Sequence, residues 1–138
     1  AMSDLEQQSS TNTGLNLTVA LDYGGRQDIS NAVTRIAEEL ESGMLTAAEI
    51  NDDLLKSRMQ TKILPPVDLL IRTGGEQRLS NFLLWDLSYA ELFFSAKLWP
   101  DFSTTDFFEA LDWFEQRQRR FGGGRYDDKH QLHAVVSD

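Results

Sequence analysis

Val67-Asp-Leu-Leu-Ile-Arg-Thr-Gly-Gly-Glu-Gln-Arg-Leu-Ser-Asn-Phe-Leu-Leu-Trp85 is the stretch on which the fold turns. The apolar run Val67–Ile71 has the character of a buried parallel strand, and Gly74-Gly75 ends it with a turn. Ser80 or Asn81 then caps a short helix carrying Phe82, Leu83, Leu84 and Trp85. Two arginines, small residues and backbone N–H groups gather where strand gives way to helix, at the strand end where open α/β sheets place ligands. Such a loop suits an anion, most simply a phosphate or diphosphate.

Outward from this loop, the chain alternates strands and helices. Leu15 to Tyr23 predicts a strand ended by Gly24-Gly25. Asp28 is placed to cap a helix in which Ile29, Val33, Ile36, Ala37 and Leu40 recur at helical spacing, with Gly43 as its C-terminal stop. Thr46-Ala-Ala-Glu49 is a capping box that opens a second helix reaching about Met59, and Pro65-Pro66 bars helix beyond it. Ala90–Ser95 predicts a third strand. Ser103 caps a long helix striped by Phe107, Leu111 and Phe114, closed by Arg117, Arg119 and Arg120 at the negative end of its dipole and by Phe121-Gly-Gly-Gly124.

This order implies an α/β fold: a partial, mainly parallel sheet flanked by helices. Three strands are few for a buried parallel sheet, so the pattern reads as part of a larger domain. Residues 1–13 form a polar lead-in or frayed helix end, 14–124 the domain portion, and 125–138 a polar tail.

The chain has 138 residues, enough for one core, and a formal net charge of −9. That charge argues against general affinity for nucleic acid or anionic membranes, so any anion site must be local. With no cysteine there is no disulfide framework, thiolate metal site or cysteine nucleophile, which fits a reducing, cytoplasmic setting. No apolar run approaches the roughly 20 residues that span a bilayer, and no signal peptide is visible.

Taken singly, the loop residues are ambiguous. Arg72 fits a charge-assisted phosphate contact or a structural salt bridge. Ser80 fits capping, an oxyanion contact, or both. Arg72, Arg78 and Ser80 within nine residues of one turn shift the balance to ligand binding. Glu76 and Glu91 are candidate carboxylates for a hard cation such as Mg²⁺, which takes one or two carboxylates plus substrate phosphates. Glu76 could equally balance Arg72 or Arg78, and Gln77 is a neutral hydrogen-bonder beside the site. Arg117, Arg119 and Arg120 with Gly122-Gly123 make a possible second anion contact. His130 and His133 read as exposed and non-functional.

Arg72-Thr-Gly-Gly-Glu-Gln-Arg-Leu-Ser-Asn-Phe-Leu-Leu-Trp85, together with Tyr89-Ala-Glu-Leu92, Leu98-Trp-Pro-Asp-Phe102, Arg119-Arg-Phe-Gly-Gly123 and Tyr23-Gly-Gly-Arg26, closely resembles the C-terminal half of the cis-prenyltransferases. The resemblance covers about residues 10–124. It implies the C-terminal half of that fold and a parent enzyme that condenses isopentenyl diphosphate onto farnesyl diphosphate with Mg²⁺, making the cis-polyprenyl carrier of cell-wall precursors. It implies that Arg72, Arg78, Leu79 and Ser80 bind the isopentenyl diphosphate, that Glu91 is the metal-associated glutamate, and that Arg119 to Gly123, Arg120 and Gly122 included, reach toward the partner's active site in a homodimer. Transient membrane-surface contact through the lipid product is also implied.

Two departures stand out. The family commonly has His where this chain has Gln77, which cannot titrate. No segment matches the family's N-terminal half, with its catalytic aspartate and allylic diphosphate site. The chain alone is therefore expected to be inactive. The alternatives are a non-catalytic diphosphate-binding module that pairs with another chain, and an unrelated phosphate-binding α/β domain.

Overall fold

The structure, a computed structural model, describes residues 2–118. Four helices and two strands are formed: α1 Met2–Ser9, α2 Gly25–Glu41, α3 Asp52–Arg58, β1 Leu69–Arg72, β2 Glu91–Phe94 and α4 Thr104–Glu115. Short 3₁₀ turns cover Ala47–Glu49, Gln60–Ile63 and Trp99–Asp101.

The two strands run parallel, with Leu69 opposite Glu91 and Arg72 opposite Phe94. Arg72 thereby stands at the carboxyl end of the sheet, as the sequence requires. Helix α4 packs on β2 through Trp113, whose ring meets Phe93 edge-on at 5.4 Å. Its start is fixed by a reciprocal capping box between Ser103 and Asp106. Lys97 reaches Asp106 at 2.5 Å, joining the loop after β2 to the same helix.

Helix α2 lies against α3, and Ala32, Ile36, Leu45 and Met59 are buried there. The Arg58 guanidinium grips both Glu39 oxygens, at 2.7 and 2.8 Å, across the joint. After α2, Gly43 adopts φ +74 as the left-handed stop expected of it. Leu87 and Ala110 complete the buried apolar residues among those described, so the core is small.

Several local expectations are corrected. Leu15–Tyr23 forms no strand, because it has no neighbouring strand to pair with among the described residues, and it bends at Asp22, where φ is +53. Asp28 does not cap α2. The helix begins earlier, at Gly25, and Asp28 is buried, accepting from the Gln60 amide at 2.6 Å and the Tyr23 hydroxyl at 3.3 Å.

The Thr46–Glu49 capping box is present, but it opens only a 3₁₀ turn; Asn51 starts α3 afresh by accepting from the Leu54 amide. Residues 82–85 form turns rather than a helix. Phe107 is 44 % exposed, so the stripe on α4 is covered at Leu111 and Phe114 but open at its start. Helix α4 ends at Glu115, before Arg117, which stacks over Trp113 at 4.6 Å. The expectations for Arg119, Arg120, Gly122, Gly123, His130, His133 and the tail lie outside the described residues.

Candidate diphosphate-binding loop

Strand β1 delivers Arg72 to its carboxyl end, and the chain turns back at Gly74 (φ +90) and Gly75 (φ +78). Nothing crowds either glycine, so the positive φ, not close packing, selects for it. Both N–H groups are used inside the protein: Gly74 donates to the Lys97 carbonyl at 2.7 Å and Gly75 to the Ser95 carbonyl at 2.9 Å. The glycines therefore fold the loop onto the chain leaving β2. Their amides are not aimed at a ligand, which departs from the simplest sequence reading.

The anion-binding groups are instead the side chains. Arg72 Nη1 donates to the Arg78 carbonyl and to Ser80 Oγ at 3.1 Å, so one guanidinium nitrogen gathers both ends of the loop. Its Nε and Nη2 have no partner among the described residues. Arg78 pairs with Glu76, and both side chains are well exposed at 63 % and 45 %. An exposed pair of this kind is worth at most about 1 kcal/mol, so a phosphate can displace Glu76 easily.

Leu70, Arg72, Arg78, Leu79, Ser80 and Phe82 line a hollow of about 330 Å³, within the size range of small-ligand sites. Leu79 and Phe82 give it an apolar wall beside the cations. A larger hollow of about 660 Å³ lies elsewhere, near Lys56 and Asp86. Asp52, Asp53 and Asp86 on its wall make it a poor seat for a diphosphate.

Sequence reasoning missed the part played by Asn81. Ser80, Asn81 and Leu83 adopt φ of +48, +68 and +44, a run of left-handed residues that costs on the order of 1–3 kcal/mol each. Asn81 repays part of that by capping α2 from fifty-odd residues away: its carbonyl accepts from the Gly25 amide at 2.7 Å and its Oδ1 from the Arg26 amide at 2.8 Å. The approach is so close that a Cβ on Gly25 would stand 3.0 Å from the Leu84 amide nitrogen. Gly24-Gly25 thus admits the loop that carries Ser80, and the helix expected at 82–85 gives way to this joint. The Gly-Gly pair was the only trace of it in the sequence.

Glu91 opens β2 opposite Leu69, three register steps from the level of Arg72, or about 10 Å along the strand. Gln77 is exposed on the loop. The described residues contain no group of three or more His, Asp or Glu side chains able to hold a metal ion. Glu76 faces Arg78 and Glu91 stands at the other end of the sheet, so these residues do not by themselves build a Mg²⁺ site.

A family model described as "Putative undecaprenyl diphosphate synthase" matches residues 1–122. The chain belongs to the undecaprenyl diphosphate synthase family of cis-prenyltransferases.

Within that family, it is 49 % identical over 119 residues to the ditrans,polycis-undecaprenyl-diphosphate synthase, (2E,6E)-farnesyl-diphosphate specific, of Aliivibrio fischeri, covering 86 % of this chain and 46 % of the relative. The synthase of the same name from Escherichia coli K12 is 48 % identical over 124 residues, covering 90 % and 49 %.

Among solved structures, lavandulyl diphosphate synthase of Lavandula x intermedia, in complex with dimethylallyl diphosphate, superposes with a TM-score of 0.83 at 42 % identity over 87 % of this chain and 52 % of that one. A probable undecaprenyl diphosphate synthase of Campylobacter jejuni gives 0.71 at 33 % identity, over 88 % and 54 %. The α/β class is thereby established for the described portion. The chain spans about half the length of the curated relatives it matches.

Proposed function

We propose that this chain supplies the isopentenyl-diphosphate-binding half of a cis-prenyltransferase that elongates farnesyl diphosphate to the polyprenyl diphosphate carrier of cell-wall precursors. The observation that carries this reading is the Arg72 guanidinium, which draws Arg78 and Ser80 around one hollow at the carboxyl end of β1 while keeping Nε and Nη2 for a ligand. Arg72 and Arg78 would neutralise the diphosphate, and the Ser80 hydroxyl would donate to one of its oxygens. Leu79 and Phe82 would flank the five-carbon chain.

Held there, isopentenyl diphosphate is the nucleophile. Its terminal alkene carbon bonds to C1 of the allylic substrate, the allylic C–O bond breaks, and diphosphate leaves with the electron pair. A proton is then lost from isopentenyl C2. What this half contributes is orientation, the pre-organisation that makes such a step effectively unimolecular. Glu91 would offer one carboxylate to Mg²⁺ in the complete domain, the other ligands coming from phosphate oxygens and from the half that this chain does not match. Homodimer formation, transient contact with a membrane surface and a cytoplasmic setting belong to the same proposal for the parent enzyme.

The test is calorimetric titration of isopentenyl diphosphate into the chain and into its Arg72→Met variant. The arginine's two unpartnered donors make charge-assisted bonds of about 1.5–3 kcal/mol each at best, and exposure brings the expected loss to about 2–3 kcal/mol. That is a 30- to 150-fold weaker Kd. Unchanged affinity in Arg72→Met refutes the assignment. No elongation of farnesyl diphosphate is expected from the chain alone, and measurable polyprenyl product would refute that part.

A further inference from the structure

The Ser80 hydroxyl stands on a strained turn. Ser80 and Asn81 adopt φ of +48 and +68, a region that non-glycine residues keep where their surroundings hold them. On one side the hold is Arg72, whose Nη1 donates to Ser80 Oγ at 3.1 Å. On the other it is Asn81, tied twice to the first turn of α2: its carbonyl accepts from the Gly25 amide at 2.7 Å and its Oδ1 from the Arg26 amide at 2.8 Å. The Ser80 hydroxyl proton has no acceptor among the described residues and is free for a ligand oxygen.

Gly24 decides whether Asn81 can sit there. A Cβ on Gly24 would stand 2.9 Å from Asn81 Nδ2, closer than such carbons approach other atoms. The Gly24 backbone is ordinary extended chain, φ −138 and ψ 121, which any residue adopts. What selects glycine at this position is therefore the Asn81 amide and not the backbone. That amide does not swing away freely, because its oxygen is fixed by the Arg26 N–H. Neither Gly24 nor Asn81 lines the hollow around Arg72, Arg78 and Ser80, so both act on it through Ser80.

We propose that Gly24 and Asn81 are a positioning pair for the isopentenyl diphosphate site: the glycine admits the Asn81 side chain, and Asn81 holds the Ser80 hydroxyl beside Arg72. The inference rests on the reading of that hollow given above. It makes the start of α2, 55 residues before Asn81 at Arg26, part of the apparatus that places the diphosphate.

The experiment is calorimetric titration of isopentenyl diphosphate into the chain and its variants, with thermal unfolding of each. Gly24→Ala and Asn81→Gly both suit the native backbone, since glycine takes φ +68 freely, and both should remain folded. Each is expected to weaken Kd roughly tenfold, about the worth of one hydrogen bond to a charged oxygen. Together they should weaken it no more than Asn81→Gly alone, within about twofold, because Asn81 supplies the atoms that crowd the new Cβ. In a Ser80→Ala background, Gly24→Ala should change Kd by less than about twofold. Gly14→Ala, at a glycine whose Cβ would meet nothing within 4 Å, should leave Kd unchanged.

An unchanged Kd in Gly24→Ala, with or without a lower Tm, overturns the proposal. So does a double variant whose losses multiply, or a Gly24→Ala loss that persists in full without the Ser80 hydroxyl. Arg72→Met separates the proposal from its premise. If Arg72→Met weakens binding and Gly24→Ala does not, the pair falls and the site stands. If Arg72→Met leaves binding unchanged, the site reading falls and takes the pair with it.

Discussion

Replacing Lys56 by Met should destabilise the protein more than any other single charge removal among the described residues. Lys56 Nζ has three protons and three acceptors: the Thr61 carbonyl at 2.7 Å, Thr61 Oγ1 at 2.9 Å, and Asp86 Oδ1. The Asp86 side chain is only 2 % exposed, and its Oδ2 has no partner among the described residues. Lys56 is thus the compensating charge for a buried carboxylate. Breaking a buried pair from one side costs about 3–5 kcal/mol, because the remaining charge stays buried. Lys56 itself is 23 % exposed, so water reaches the site and the lower end, about 3 kcal/mol, applies.

For a chain of this length that is roughly a 10 °C fall in Tm, a large share of a typical stability of about 5–15 kcal/mol. The assay is thermal unfolding followed by circular dichroism. The Lys56→Met, Asp86→Leu double variant should recover most of the loss, since an apolar pair of similar size removes the buried charge altogether. A single variant within about 3 °C of the parent, or a double variant no better than the single, refutes the reasoning. Asp86 lies six residues beyond Ser80, so this pair anchors the far end of the turn segment whose near end is held by Arg72.

Gly25→Ala should cost about 1–3 kcal/mol by denaturant unfolding and should disturb the amide signals of Asn81 and Ser80, since the new Cβ meets the Leu84 amide nitrogen at 3.0 Å and the Asn81 carbonyl at 3.1 Å. Lys97, then the Ser103 hydroxyl and amide, hold the Asp106 carboxyl well below its usual range. Its stabilisation is therefore full above the unfolded value near pH 4 and is lost as pH falls further, so Asp106→Asn should flatten the acid limb of a stability–pH curve. The Tyr23 phenol is pushed up to about 12, first by burial and then by the Asp28 carboxylate. The folded chain keeps a proton that the unfolded chain releases near pH 10, so stability is lost as pH rises from about 10 to about 12. Tyr23→Phe should remove that alkaline loss, and one tyrosine in the parent should ionise late by ultraviolet absorbance.

What the sequence made legible is what local chemistry decides. β1 and β2, the Ser103 start of α4, the Gly43 stop of α2 and the gathering of Arg72, Arg78 and Ser80 each rest on residues within a turn or two of one another. What it hid depends on distant partners. Leu15–Tyr23 has strand chemistry, but a strand exists only where another strand lies beside it. Asp28 has capping chemistry, but the Gln60 amide and Tyr23 hydroxyl draw it inward. Phe82–Trp85 follows a pair of residues with helix-capping chemistry, but the Asn81 joint to Gly25 sets the backbone there. The glycine loop looked like a phosphate cradle because its length and composition match one, and only the bonds to Ser95 and Lys97 show where its amides go.

The most direct test of the central claim is a two-dimensional amide spectrum of the chain, titrated with isopentenyl diphosphate in the presence of Mg²⁺. Dispersed signals that shift progressively between Gly74 and Ser80, with Arg72 among them, are the predicted result. A dispersed spectrum that does not respond there, or that responds instead around Lys56 and Lys62, would contradict the assignment of Arg72, Arg78 and Ser80 as the diphosphate site.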